Sequence, residues 1–559
     1  MSPKLANRRI RLLLALFALV FAGTLLRAMW LQGVQARSLS RMAANQHRAT
    51  VTVPPNRGAI YDRTGFQLAI GEQATTVYAD PRQVVDVRNV AVAAGRALRI
   101  SPQKVYAELA DRKRGFVYLA RKANARGASL LAKQRLAGLG FYPEERRYYP
   151  QRSVASQVLG YAGIDNKGLS GLELALDRIL AGKPGRQTMV KDASGRTIDV
   201  VSEKQERDGR PAFLTLDHTI QANAEAVLRQ TLQRWHAKSA TAIVLDPHTG
   251  DVLAMAVAPS YDANGFPSVA RDLQRNRAIT DTYEPGSTFK VVTISGALSE
   301  GLVSPLTRFT LPYEIQVADR RIHDAEPRGT ETMTVAHILS HSSNVGVITV
   351  AKLLGKDRLL SWVSRFGFGH KTKIDYPGES QGILPSYWSG SSIGNVPIGQ
   401  GIAVTPMQVA SAYATVANGG VWIQPHLVDH VGGGVRKPAP RRVVITPLVA
   451  AQVRAMLQNV VAEGTGTEAA IPGYTVAGKT GTAAKPDPRG GYSDSRYVAS
   501  FVGFVPATRP RLVVLVAVDE PRGAIWGGVV AAPAFQQIAK FNLQYLEVPP
   551  DAAATLVRR

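Results

Sequence analysis

The spacing of apolar positions changes several times along the chain, and each change marks an element. Leu12 to Leu26 is an unbroken apolar run that continues through Ala28, Met29, Trp30 and Leu31, with Lys4, Arg8, Arg9 and Arg11 before it. A run of ~20 such residues is long enough to cross a bilayer as a helix. Arg27 lies near the far end, where a long side chain can snorkel, and Trp30 suits the interface. The basic stub is expected to stay cytoplasmic. A cleaved signal peptide is the competing reading, carried by the small pair Ala22-Gly23. Either way the remainder is exported. No acidic residue precedes Asp62, so residues 32–50 are expected to form a basic, helical neck.

Alternation at Val51-Thr52-Val53, stopped by Pro54-Pro55, predicts a strand, and Ala59-Ile60-Tyr61 predicts another ending at Asp62-Arg63-Thr64-Gly65. Mixed short strands and helices follow as far as residue 204, and the Gly-, Lys- and Asp-rich stretch from Gly182 to Gly209 is expected to connect two domains. Ile220 to Trp235 has a helical, amphipathic period. Ala240 to Leu245 and Val252 to Val257 are apolar strands joined by the turn Asp246-Pro247-His248-Thr249-Gly250. Further strands are predicted at Thr475 to Ala477, Tyr497 to Val505 and Leu512 to Val518, then a closing helix at Ala532 to Tyr545. Between the two sets of strands, residues 287–460 read as mainly helical. Strands first and last with helices between them predict an α/β (α+β) fold, an antiparallel sheet whose outer strands close around a helical subdomain. There is no internal repeat, and low complexity is confined to the Ala- and Arg-containing tail after Pro549.

A chain of 559 residues exceeds a single core, so two folded domains are expected. Apolar residues at 45% and charged residues at 19% place it among globular proteins. The absence of cysteine excludes disulfides, a thiol nucleophile and Cys-based zinc sites. The formal net charge of +25 favours anionic partners such as lipid headgroups or a cell wall. Nucleic acid is not expected, because the basic residues are scattered and no aromatic-interleaved stripe is present.

Three short boxes carry chemistry. Pro285-Gly286 followed by Ser287-Thr288-Phe289-Lys290 and an apolar run places Ser287 on the first turn of a helix ending at Gly301. Residues three apart share a helical face, so Lys290 can reach the hydroxyl and, desolvated among other cations, serve as its base. The tetrad alone is weak, since Ser101-Pro102-Gln103-Lys104 matches it and reads as an N-cap followed by proline. In Ser342-Ser343-Asn344, Ser342 is placed to relay a proton and Asn344 to hydrogen-bond an amide, although both residues are also helix-capping types. In Lys479-Thr480-Gly481-Thr482, Lys479 supplies positive potential, Thr480 and Thr482 can bind a carboxylate, and Gly481 permits close backbone approach. The backbone amides of Ser287 and Thr482 are candidates for an oxyanion site. Gly473 to Thr480 also satisfies the phosphate-loop pattern, but its inter-glycine residues are strand-prone and Pro486-Asp487-Pro488 forbids the helix such a loop needs. His248, His323, His337, His341 and His370 lack metal-site spacing, so neither metal nor cofactor is expected, and the role of His341 beside the second box stays open.

This triple set is shared by penicillin-binding proteins and class A β-lactamases. The surrounding residues Asn276-Arg277-Ala278, Thr280-Asp281, Tyr283-Glu284-Pro285-Gly286-Ser287-Thr288 and Ser342-Ser343-Asn344-Val345-Gly346 resemble the division-specific class B penicillin-binding proteins, with Glu284 and Asn344 as in the septal type. Arg57-Gly58-Ala59-Ile60-Tyr61-Asp62-Arg63, Gly168 to Glu173, Gly399-Gln400-Gly401 and Ala531-Ala532-Pro533 extend the resemblance over nearly the whole chain. It implies a cytoplasmic stub at 1–11, a transmembrane helix at 12–31, an elongated mixed α/β pedestal of the dimerisation type at 32–204, a transpeptidase domain at 205–548 and a tail at 549–559. It implies a single-pass protein of the cytoplasmic membrane, catalytic outside the cytoplasm at the division septum. Ser287 would form an acyl-enzyme with a peptidoglycan stem peptide, and an amine of a second stem would resolve it. β-Lactams would trap the same serine. Implied partners are lipid-linked glycan strands, a SEDS-family glycan polymerase and other division proteins. The alternatives are a D,D-carboxypeptidase or β-lactamase, an elongation- or sporulation-type transpeptidase, and a catalytically idle β-lactam sensor.

Overall fold

The computed structural model describes residues 3–38, 48–191 and 197–552, and the chain divides into two compact units, residues 1–56 with 182–209 and residues 57–181 with 210–559. In the first unit an α-helix, Pro3–Met29, runs on into a π-helical turn, Trp30–Val34. The 28-residue span Asn7–Val34 is long enough to cross a membrane, and its apolar window has mean hydropathy 2.2. Of the neck expected to be helical, residues 39–47 lie outside the described residues, as does the tail beyond residue 552, while Arg48–Val53 is a strand. Consecutive β-branched residues there favour extended backbone over helix.

The stretch expected to be a connection is a second departure. Gly185–Lys191 and Thr197–Lys204 form an antiparallel hairpin, and Arg48–Val53 adds a third strand in the register Arg48↔Val190 to Val53↔Gly185. The glycines and lysines give it a linker's composition, but Thr197-Ile198-Asp199-Val200-Val201 carries the β-branched alternation that makes a strand.

In the second unit, Gln67–Ala79 pairs with both Val117–Asn124 and Leu139–Tyr148. Helices Val87–Leu98, Pro102–Ala110 and Ala125–Ala132 pack Val90, Leu109 and Leu131 into one core with Val77 and Val117 of the strands. The Ser101 side chain caps Pro102–Ala110 by accepting from Lys104 N, as its sequence predicts. Beside this layer Glu173, wholly buried, is held by Arg57 at 2.7 Å and Arg147 at 2.6 Å, and Arg57 also reaches Asp177. Removing one partner from such a buried network typically costs ~3–5 kcal/mol.

The catalytic layer begins with α1 (His218–Trp235), capped by the Asp217 side chain, and the hairpin strands β1 (Ser239–Leu245) and β2 (Val252–Ala258). Next come α2 (Lys290–Ser299), α3 (Val335–Ser340), α4 (Asn344–Leu354), α5 (Pro406–Ala417) and α6 (Pro447–Ala462). Strands β3 (Ala477–Pro486), β4 (Tyr492–Val505) and β5 (Leu512–Asp519) and helix α7 (Ala532–Tyr545) complete it. The sheet order is β2-β1-β5-β4-β3 with every pair antiparallel, which leaves β3 at an edge. Alternate residues serve two cores: Ile243, Val513 and Leu515 face the helical subdomain, whereas Val244, Val514 and Val516 face α1 and α7. Burial on both faces explains why these strands read as continuous apolar runs.

Candidate active site

A short 3₁₀ turn, Gly286–Phe289, precedes α2 and carries Ser287. Gly286 has φ +54°, and a Cβ on Gly399 (φ +77°) would lie 2.2 Å from the Gly286 carbonyl oxygen, so two glycines let the loop through Gly399-Gln400-Gly401 press against the serine turn. Tyr413 on α5, itself buried, donates its hydroxyl to the Thr288 carbonyl at 2.9 Å and fixes the turn from behind.

Lys290, the first residue of α2, is wholly buried. Its Nζ donates to the Ser342 carbonyl, to Asn344 Oδ1 at 2.7 Å and to Ser342 Oγ at 3.2 Å. Ser342 Oγ in turn lies 2.9 Å from Ser287 Oγ. The lysine therefore connects to the serine through Ser342, where the spacing of the first box predicts direct contact. Burial pushes the Lys290 pKa down to about 7, opposed by the charge of Asp324.

Ser342 sits in the left-handed region at φ +60°, a conformation worth ~1–3 kcal/mol of strain in a non-glycine residue. That backbone turns both its carbonyl and its hydroxyl toward Lys290. Ser343 caps α4, and its hydroxyl donates to Asp324, which also accepts from Val345 N and Arg328. Neither Ser342 nor Asn344 caps the helix; Ser343 between them does. Asn344 is committed to Lys290 on its oxygen side and donates Nδ2 to the His323 carbonyl at 3.0 Å.

The third box lies inside β3. The strand begins at Ala477 and continues to Pro486, later than the predicted Thr475 to Ala477 segment that was to lead into the box. Strand alternation puts Lys479 and Gly481 on one face and Thr480 and Thr482 on the other. Lys479 is wholly buried, and its pKa falls well below the usual lysine range through burial and then the nearby charge of Lys290. A Cβ on Gly481 would come within 2.4 Å of Ser500 Oγ, 2.9 Å of Thr288 Cγ2 and 3.0 Å of the Pro285 carbonyl, so the approach it allows here is by the serine turn itself. The Thr482 hydroxyl accepts from Gly527 N at 3.1 Å.

The structure thus brings the first two boxes into one hydrogen-bonded chain and seats the third against the serine turn. Asp324, Tyr413 and Thr465, which bonds Lys479 and Thr480, were not found by sequence reasoning, because each meets the boxes through tertiary contacts alone. His341 stacks edge-on with His337, ring centres 4.0 Å apart, and its Nδ1 faces Ser340 Oγ, away from the hydroxyl chain. A cavity of about 160 Å³ lies beside the serine segment, lined by Tyr283, Glu284, Ala483 and Lys485 among others. Among the described residues, Asp62, Asp217 and His218 cluster within 4.8 Å. The Asp62 oxygens are already taken by Thr64, Phe66 and His218, which makes this a hydrogen-bonded joint.

Residues 240–540 match the family described as the penicillin-binding protein transpeptidase domain, and residues 52–213 match the penicillin-binding protein dimerisation domain. Peptidoglycan D,D-transpeptidase FtsI of Escherichia coli K12 is 34% identical over 558 residues, covering 98% of this chain and 93% of that one. Stage V sporulation protein D of Bacillus subtilis is also 34% identical, covering 97% of this chain and 86% of its own length. The crystal structure of penicillin-binding protein 3 from Mycobacterium tuberculosis complexed with aztreonam superposes with a TM-score of 0.71 at 30% identity, over 90% of this chain and 99% of that one. The chain belongs to the class B penicillin-binding proteins and is a penicillin-binding D,D-transpeptidase.

Proposed function

We propose that the Ser287 hydroxyl attacks the last amide of a peptidoglycan stem peptide, at the carbonyl of the penultimate residue, with Ser342 and Lys290 as the proton path. The observation that carries this reading is the unbroken sequence Ser287 Oγ, Ser342 Oγ, Lys290 Nζ at 2.9 and 3.2 Å. Two of the amine's contacts, the Ser342 carbonyl and Asn344 Oδ1, can only accept, so in the neutral amine they take both protons and the lone pair faces Ser342 Oγ. The proton of Ser287 passes to Ser342 as the proton of Ser342 passes to Lys290, and the Ser287 oxygen bonds to the carbonyl carbon. Collapse of the tetrahedral intermediate expels the terminal residue's amine, which receives the proton back along the same path. The amine of a second stem then attacks the ester carbonyl, its proton passes through Lys290 and Ser342 to the departing Ser287 oxygen, and a peptide cross-link is left. Lys479, Thr480 and Thr482 hold the donor's terminal carboxylate on the exposed edge of β3. The backbone amides of Ser287 and Thr482 take the oxyanion, in keeping with the close approach of the Thr482 carbonyl to Gly286.

Residues 32–204 serve as the pedestal and 205–548 as the transpeptidase domain, supported by the family matches over 52–213 and 240–540. The N-terminal helix anchors the protein once in the cytoplasmic membrane with its basic end inside and its catalytic domain outside. Likeness to FtsI supports work at the division septum, in company with a SEDS-family polymerase that makes the glycan strands. The test is covalent labelling by a fluorescent penicillin. Ser287→Ala is expected to abolish labelling and Ser101→Ala to leave it intact, and a labelled Ser287→Ala protein would remove the nucleophile from this mechanism.

A further inference from the structure

Thr465 lies in the loop between α6 and β3, fourteen residues before Lys479 in the sequence and in none of the three boxes. Its hydroxyl oxygen is 2.8 Å from Thr480 Oγ1 and 3.4 Å from Lys479 Nζ, and Lys479 Nζ is itself 3.1 Å from Thr480 Oγ1. The three polar groups form a closed triangle. The loop that carries Thr465 has little freedom to leave it. Thr465 N donates to the Ser340 carbonyl at the end of α3, and a Cβ on Gly464 would lie 2.3 Å from that same oxygen. On the other side a Cβ on Gly528 would lie 2.6 Å from the Thr465 carbonyl.

We infer that Thr465 is a positioning residue that orients Lys479 and Thr480 for recognition of the donor's terminal carboxylate. The chemistry follows from counting lone pairs. A hydroxyl oxygen has one proton and two acceptor sites. When Lys479 and Thr465 both donate to Thr480 Oγ1, both of its acceptor sites are filled, and its own proton is left to be donated into the cleft. Thr465 Oγ1 simultaneously accepts from Lys479 and turns the ammonium toward the strand edge that carries Thr480. The carboxylate then meets a fixed hydroxyl donor beside a fixed cation. Without the Thr465 hydroxyl, Thr480 can spend its proton elsewhere and Lys479 loses one of its side-chain acceptors. This inference rests on the acyl-transfer reading above.

The experiment uses the full-length protein in detergent and two thioester donors that differ only at the C-terminus, one a free carboxylate and the other the carboxamide. Wild-type protein is expected to prefer the carboxylate in kcat/KM, and failure of both donors to acylate it would overturn the acyl-transfer reading instead. Thr465→Val is expected to lower the carboxylate-over-carboxamide preference roughly tenfold, the size of one lost charge-assisted hydrogen bond, with the carboxamide rate nearly unchanged. Thr465→Ser, which restores the hydroxyl, is expected to recover the preference to within about twofold. If Thr465→Val does not fold, Thr465→Ala is measured in its place. An unchanged preference in the hydroxyl-free variant, or equal slowing of both donors at an unchanged melting temperature, overturns the role assigned to Thr465.

Discussion

At the scale of single residues the site depends on a lysine that burial has made a weak acceptor of its own proton. With Lys290 titrating at about 7, its neutral form is the minority below that pH and dominates above it. The acylation rate is therefore expected to rise through pH 7 and then level off, since the base acts in its neutral form. Asp324 holds the Lys290 pKa up, so Asp324→Asn is expected to move the midpoint lower. Stopped-flow acylation by a chromogenic β-lactam across pH would measure both, and a flat wild-type profile would remove Lys290 from the proton path. The serine, the two lysines and Asn344 were legible because each stands in a short box with fixed local spacing. Asp324 and Thr465 were not, because neither the nineteen residues from Asp324 to Ser343 nor the fourteen from Thr465 to Lys479 contain any local signal of the contact. A relaying role for Ser342 was legible, but its place between Ser287 and Lys290, where direct contact was expected, was not, because it depends on a left-handed backbone at one non-glycine residue.

At the scale of elements, β3 is positioned by what its glycine lacks. Gly481→Ala would drive a methyl group into Ser500, Thr288 and the Pro285 carbonyl, and so push the strand away from the serine turn. Overpacking of this kind costs ~1–3 kcal/mol of stability, and a displacement on the order of 1 Å in a catalytic group can cost about a hundredfold in rate. We expect Gly481→Ala to stay folded by circular dichroism yet to be acylated at least about a hundredfold more slowly; acylation at the wild-type rate would show that the strand does not depend on this contact. Elements specified by their own neighbours were readable, as with the Ser101 cap and the closing helix Ala532–Tyr545. Those specified by distant partners were not. Gly185–Lys191 is the central strand of three, paired with Thr197–Lys204 on one side and on the other with residues 48–53, far upstream in sequence. The start of β3 was misplaced because the small and polar residues of the box hide a strand whose pairing with β4 determines its extent.

At the scale of the whole second unit, one carboxyl joins the layer around residue 155 to the catalytic layer. Glu225 on α1 accepts from Ala155 N at 2.8 Å and from Gln221 Nε2 at 2.7 Å, and burial pushes its pKa up to about 7. Between its ordinary value of 4.5 and about 7 the folded protein holds a proton that the unfolded chain has released, so stability falls as pH rises through that window. Glu225→Gln is expected to remove this slope, and thermal melts of both proteins at a series of pH values would measure it; parallel curves would contradict the assignment. The position of β3 at the sheet margin has a last consequence. Its outer backbone groups form a ruler with a step of ~3.3 Å, along which an extended peptide can lie. Sliding that peptide by one residue inverts its side chains, and sliding it by two carries the next amide some 6.6 Å past the serine oxygen. Under the proposed mechanism, with Thr480 and Thr482 as the stop for a chain terminus, only the last peptide link would come to rest opposite Ser287, and links deeper in the polymer would be left uncut.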